Sequence, residues 1–167
     1  MKFGLLLMAM ENITEFPLIN SSRNLKVFTS YWSMRPHDNT GIILSDEKIC
    51  EMVKGAGYNG MAIDLGAADI NKANELRPIM ESMDLTPLIV AFPKTVNSLE
   101  ETLIMAKDFG SPFVDIIGQV MPLSVDGMIP VIRKWIEMSY KIDIPIQFET
   151  HRNCITNDLY STLLLLD

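Results

Sequence analysis

The chain is poor in cysteine and histidine and has no cluster of basic residues, and each scarcity narrows what the protein can be. Its 167 residues include two cysteines and two histidines. Cys50 and Cys154 lie far apart without the close spacing of a metal knuckle, so neither a disulfide framework nor a cysteine-rich zinc site is expected. A reducing, cytoplasmic setting fits that count. Lys and Arg total 14 against 21 Asp and Glu, for a formal charge of −7, which argues against any general affinity for nucleic acid or for an anionic membrane surface. No stretch reaches the roughly 20 apolar residues of a membrane-spanning helix. Lys2 precedes an apolar run ending at Met10, but Glu11 follows at once without a small-residue cleavage site, so no secretion signal is read there.

What is present is apolar patterning. Hydrophobic residues make up 48% of the chain, enough for one substantial core and one domain. From Leu25 onward, short apolar runs alternate with longer stretches of helical period. The strand candidates are Leu25 to Tyr31, Gly60 to Leu65, Pro87 to Phe92, Phe113 to Gly118 and Ile144 to Glu149. Most are continuously apolar, as parallel strands buried on both faces are. Helix starts are expected at Ser45, Asp69, Ser98 (a capping box with Glu101), Ser124 and Thr156. Pro78 and Pro130 fall in helical patterns and mark a first turn or a kink. Met80, Met83, Met105 and Met138 sit at helical positions and read as pliable core filler.

This is a run of βα units, and two architectures accommodate it. Five strands suffice for an open doubly wound parallel sheet, whereas a closed (βα)8 TIM barrel takes about 250 residues. Doubly wound folds, however, commonly hold a ligand in the first βα loop. Here that loop, Trp32 to Thr40 with Arg35, His37 and Asp38, has no glycine-rich phosphate cradle. Residues 1–24 fit no repeat and form an N-terminal extension, read as a disordered leader or a helix plugging an exposed end ahead of an additional strand over Phe3 to Met10. Residues 25–167 form the domain.

The most informative segment is Ile144-Pro-Ile-Gln-Phe-Glu-Thr-His-Arg-Asn153. Side chains two apart on a strand point the same way, so Glu149 and His151 are expected to project from one face while Ile146 and Phe148 pack on the other. Polar residues at the carboxyl end of a parallel strand are where α/β proteins usually keep their chemistry. His151 can serve as a ligand, a substrate hydrogen-bond donor or a surface histidine. Arg152 can meet an anionic substrate group or form a salt bridge. Asp115 is expected to share an interior layer with Gln147 and, being buried, to need a partner. Gln119 and Asp64, at strand ends, suit either ligand hydroxyls or loop capping. Trp32 suits sugar stacking or plain packing, and His37 is read as exposed.

Lys26-Val-Phe-Thr-Ser-Tyr-Trp32, Tyr58-Asn-Gly-Met-Ala-Ile-Asp64, Ile117-Gly-Gln-Val-Met-Pro-Leu-Ser124 and Gln147-Phe-Glu-Thr-His-Arg152 with Thr156-Asn-Asp-Leu159 together resemble the xylose isomerase-like TIM barrels, which include sugar isomerases and epimerases. The resemblance runs from about Leu25 to Asp167 and implies a partial (βα)8 barrel of five units. It implies an ancestral metal-dependent isomerase or epimerase acting on a small sugar or keto acid, with a divalent ion (Mn, Mg, Co or Zn) polarising a carbonyl. By strand position Glu149 matches the family's fifth-strand carboxylate, both metal ligand and proton-transfer group. His151, Arg152, Gln119, Trp32 and Asp64 would then line the substrate site. Because ligands from three further strands are absent, the expectation for this chain alone is weak or no metal binding and no activity. A homo-oligomer or a complementary fragment is the expected partner; the alternatives are a noncatalytic half-barrel and an open-sheet binding protein.

Overall fold

The computed structural model describes residues 26–34, 43–66, 69–120 and 124–166. The expectations for residues 1–24 and for Arg35, His37 and Asp38 lie outside the described residues. Five strands, β1 (Phe28–Ser30), β2 (Gly60–Asp64), β3 (Thr86–Ala91), β4 (Val114–Ile116) and β5 (Ile146–Phe148), each fall inside an expected run or within one residue of it. Six helices accompany them among the described residues: α1 (Tyr31–Met34), α2 (Asp46–Gly55), α3 (Ile70–Ser82), α4 (Leu99–Asp108), α5 (Val125–Ile142) and α6 (Leu159–Leu166).

All strand pairs are parallel and the spatial order is β1-β2-β3-β4-β5. A doubly wound sheet reverses its strand order at a switch point. Here there is no reversal, so the doubly wound alternative gives way to the partial TIM barrel. Successive crossovers of one hand in one direction also place the helices on the same side of the sheet.

The register sorts the two faces. Phe148 stacks on Trp135 of α5, with ring centroids 6.1 Å apart. The face of Phe148 is therefore the helix side, and the pairings carry it across the sheet through Ile116, Ala91, Ile89 and Ile63, all buried. Trp135 is wholly buried in this layer and donates Nε1–H to the Val96 carbonyl at 2.9 Å. The opposite face is the barrel interior, and one rung on it reads Asp64, Val90, Asp115, Gln147.

Three expected caps form: Ser45, Asp69 and Ser124 accept from the N–H groups of Lys48, Lys72 and Gly127. Two do not. Ser98 is itself in helical conformation, and its hydroxyl is taken up by Thr95, accepting from the Thr95 N–H at 3.3 Å and donating to its carbonyl at 2.9 Å. Thr156 bonds back to Glu149, and Asp158 caps α6 in its place through the Ser161 N–H at 2.8 Å. Pro78 and Pro130 lie inside α3 and α5, beyond the first turn. The helix α1 begins at Tyr31, where the aromatic run had read as strand.

Both sheet edges are open among the described residues, since β1 pairs only with β2 and β5 only with β4. Next to β5 in sequence, α6 presents Leu159, Tyr160 and Leu163 at 74%, 74% and 52% exposure.

Candidate functional site at the carboxyl ends of β4 and β5

The stretch after β5 is knitted to itself and to β4. The Thr156 hydroxyl donates to the Glu149 carbonyl at 2.7 Å, and the Cys154 thiol donates to the His151 carbonyl at 2.5 Å. The Ile155 N–H reaches the Gly118 carbonyl at 2.9 Å, and Asn153 takes the left-handed conformation, φ 57°, that lets the chain turn back. Gly118 makes this closure possible. A methyl group there would stand 2.9 Å from the Ile155 side chain and 3.0 Å from the Trp135 ring. The loop that carries Glu149 and His151 is thus held in one shape by the core beneath it.

Glu149 extends the β5 ladder, donating its N–H to the Ile116 carbonyl at 3.0 Å, and keeps to the interior face with Gln147 and Asp115. Asp115 pairs across the ladder with Gln147, two residues before Glu149, so the two acids share one face of neighbouring strands. Asp115 is 9% exposed, and its Oδ1 finds no hydrogen-bond donor among the described groups. Burial, then the neighbouring Glu149 carboxyl, push the Asp115 acid up from 3.8 to about 6; the Gln147 side chain and the Ile116 backbone hold it back in part.

The pH dependence follows. As pH rises from about 4 to about 6, the unfolded chain gives up the Asp115 proton while the folded chain keeps it, so stability falls across that window. Above pH 6 the cost stands in full at about 3 kcal/mol. Asp115→Asn removes it. The variant is expected to melt above wild type at pH 8 and level with it at pH 4, as thermal scans at the two pH values will show; an equal gap at both would sink this assignment.

His151 packs edge-on against Phe92 at the exit of β3, with ring centroids 6.5 Å apart. Its Nδ1 is 2.7 Å from the Arg152 carbonyl. A carbonyl can only accept, so Nδ1 carries a hydrogen, which in the neutral ring leaves the lone pair on Nε2. Gly66 packs between the Asp64 carboxylate and the Phe92 ring, where a methyl group would lie 3.0 Å from each. An apolar and polar strip thereby links the β2 exit to His151. Beside Phe92, an open hollow of about 390 Å³ is lined by Leu65, Asp69, Ile70, Ser98 and Thr102, a volume in the range of small-ligand sites.

The other expected residues are dispersed. Asp64 caps its own loop by accepting from the Gly66 N–H at 2.7 Å. Gln119 is half-buried after β4, its N–H on the Pro93 carbonyl. Arg152 is exposed and forms no ion pair among the described residues. Trp32 is 49% exposed on α1, at the sheet edge opposite β5. The sequence reading missed Phe92 and the effect of Glu149 on the Asp115 acid. The signal for the second was an acid set inside the apolar run of β4, one rung from a strand with polar residues two apart.

The metal implied by the family resemblance does not fit this donor set. Among the described residues no three His, Cys, Asp or Glu side chains come together, and a catalytic ion needs at least three protein ligands or several oxygens. No helix among them is long and apolar enough to cross a membrane.

No protein-family model matches the chain, and no curated protein matches it. Solved structures do. D-allulose 3-epimerase from Methylomonas sp. superposes with a TM-score of 0.56 at 15% identity, over 85% of this chain and 58% of that one. The same enzyme in complex with D-allulose gives 0.55 at 16%, over 84% and 58%. The 3-dehydroquinate dehydratase from Geobacillus kaustophilus gives 0.51 at 14%, over 83% and 55%. The chain thus spans less than two thirds of the length of these proteins. The likeness is one of fold: the chain has the architecture of five βα units of a TIM barrel.

Proposed function

We propose that this chain supplies the proton-transfer half of a sugar isomerase or epimerase, with Glu149 as the carboxylate that moves a proton at a carbon beside a ketose carbonyl. The observation that carries the reading is the exposed Glu149 carboxyl at the β5 exit, set against the buried Asp115 on a fold shared with D-allulose 3-epimerase. In the step, the substrate C–H bond breaks, the proton passes to a Glu149 oxygen, and the electron pair moves into the carbonyl to give an enediolate. Return of a proton to either face completes exchange or inversion. The neutral His151 ring can accept from a substrate hydroxyl at Nε2, and the exposed Arg152 can meet an anionic group.

The test is deuterium exchange. The chain is incubated in D2O with D-allulose, D-fructose and related ketoses, with and without added manganese, and the C–H signal beside the carbonyl is followed by proton NMR. Loss of that signal is expected for at least one ketose. Its persistence in all of them overturns the reading.

A second reading, a noncatalytic half-barrel that assembles with another chain, draws on the two sheet edges left open among the described residues and on the exposed α6 side chains. An oligomer in solution that exchanges no deuterium supports it.

A further inference from the structure

The hollow beside Phe92 reaches to the helix side of the sheet, away from the rung that carries Asp115 and Gln147. Leu65 in its wall extends the β2 ladder, donating its N–H to the Val90 carbonyl at 3.0 Å, and so keeps the parity of Ile63 on the helix side. The starts of α3 and α4 meet across this hollow: Asp69 and Asn71 come from one, Ser98 and Thr102 from the other. The two starts are not alike. On α3 the Asp69 carboxylate caps the Lys72 N–H at 2.8 Å. On α4 Ser98 gives no side-chain cap, so the first-turn N–H groups are left for another acceptor. Thr102 adds a second unmet need. It is 9% exposed, and its hydroxyl makes no hydrogen bond among the described residues. A helical threonine can return that hydroxyl to the carbonyl four residues back, as Thr162 does to Asp158 at 2.8 Å. A hydroxyl withdrawn from water without a partner is costly, and a ligand in the hollow that Thr102 lines supplies one.

We propose that this hollow is a second binding site, separate from Glu149, for a small neutral polyol. The chemistry of the lining selects that class. An anion would sit against the Asp69 carboxylate, with Glu100 and Glu101 in the first turn of α4, and like charges oppose it. A metal cation would meet N–H donors and a single carboxylate, short of the several oxygens it needs. A polyol needs donors and acceptors side by side and an apolar surface for its C–H faces. Here the Thr102 hydroxyl and the Asn71 amide can each donate and accept, the α4 N–H groups donate, and the Asp69 Oδ2, which the Lys72 N–H does not engage, accepts. Leu65 and Phe92 form the apolar wall. The volume of about 390 Å³ admits a molecule of hexose size. Phe92 belongs to both sites, because its ring also meets His151.

The probe is D-sorbitol, which has no carbonyl and so cannot undergo the proposed proton transfer. Backbone amide resonances of the nitrogen-15-labelled chain are followed as sorbitol is added, with inorganic phosphate titrated in parallel. Saturable shifts with sorbitol are expected at the amides of Asn71 and of residues 99–102. Thr102→Val keeps the volume of the side chain and removes the hydroxyl, and it is expected to weaken binding about fivefold or more. Its melting temperature is expected to equal or exceed that of wild type, since a buried hydroxyl without a partner has gone. Thr102→Ser keeps the hydroxyl and is expected to bind as wild type does. Shifts that never saturate, shifts confined to residues 149–153, or undiminished binding by Thr102→Val each overturn the proposal. So does a saturable response of these amides to phosphate in place of sorbitol. A melting temperature of Thr102→Val below wild type overturns it as well, because the hydroxyl would then have its partner in the free protein. The proton-transfer reading stands or falls apart from these outcomes, on the fate of a substrate C–H bond.

Discussion

Glu149→Gln is expected to lower the rate of substrate proton exchange by about 10²- to 10⁴-fold, the usual range for removing a positioned general base. The amide has nearly the size and shape of the acid but cannot accept the proton. The fold has little reason to respond, since the side chain is exposed and the contacts that hold the residue run through its backbone. Its N–H bonds the Ile116 carbonyl and its own carbonyl accepts from the Thr156 hydroxyl, and both survive the change. Exchange rate and melting temperature measured on the same preparation separate the two effects. Wild-type turnover in the variant refutes the carboxylate assignment, and a large drop in melting temperature would make Glu149 a structural residue.

The largest effect on stability is expected at Gly60. This residue opens β2 between Phe28 of β1 and Thr86 of β3, and a methyl group on it would stand 2.0 Å from the Thr86 carbonyl oxygen and 2.6 Å from the Phe28 ring. Phe28 can rotate away. The Thr86 carbonyl cannot, because it belongs to the backbone of the central strand and moving it disturbs the ladder to β2. Gly60→Ala is therefore expected to cost about 3 kcal/mol, the upper part of the range for overpacking, and to lower the melting temperature by about 6–12 °C. Gly55, in the last turn of α2, has nothing within 4 Å of the corresponding position. Gly55→Ala is the control and is expected to be neutral or to stabilise by about 0.4–1 kcal/mol through the unfolded chain. Equal denaturation midpoints for the two variants would mean that the close contact at Gly60 is relieved without cost.

The strands were legible because a parallel strand covered on both sides must be apolar along its whole length, and the runs at Gly60, Pro87 and Phe113 leave little else to read. Strand order was not. Each βα unit looks the same in sequence whether the next strand is added on the left or on the right, so composition cannot separate an open doubly wound sheet from part of a barrel. Ser98 shows a similar limit at short range. Its pattern with Glu101 satisfies a capping box, but Thr95, three residues earlier, offers the hydroxyl two backbone partners and wins. At the site, period-two alternation placed Glu149 on the face away from Phe148, and Asp115 opposite Gln147, as the register has it. What alternation does not supply is how far one strand is staggered along the next, and that stagger brings Asp115 within the influence of Glu149. The contact between His151 and Phe92 was beyond reach for a related reason, since it spans 59 residues and depends on the turn the loop takes after β5.

The unreversed strand order bears on how the chain reaches this shape. In a doubly wound sheet the first strand ends in the middle and must wait for partners that come much later. Here each strand after the first pairs with the one made just before it, so the sheet can be laid down in the order of synthesis, every completed unit offering a template to the next as it leaves the ribosome. Contacts closed in that sequence span short loops and involve small losses of chain entropy. Among the described residues β5, the strand that leads into Glu149, is laid against β4 on four strands already formed, so the residue bearing the chemistry meets a scaffold already in place.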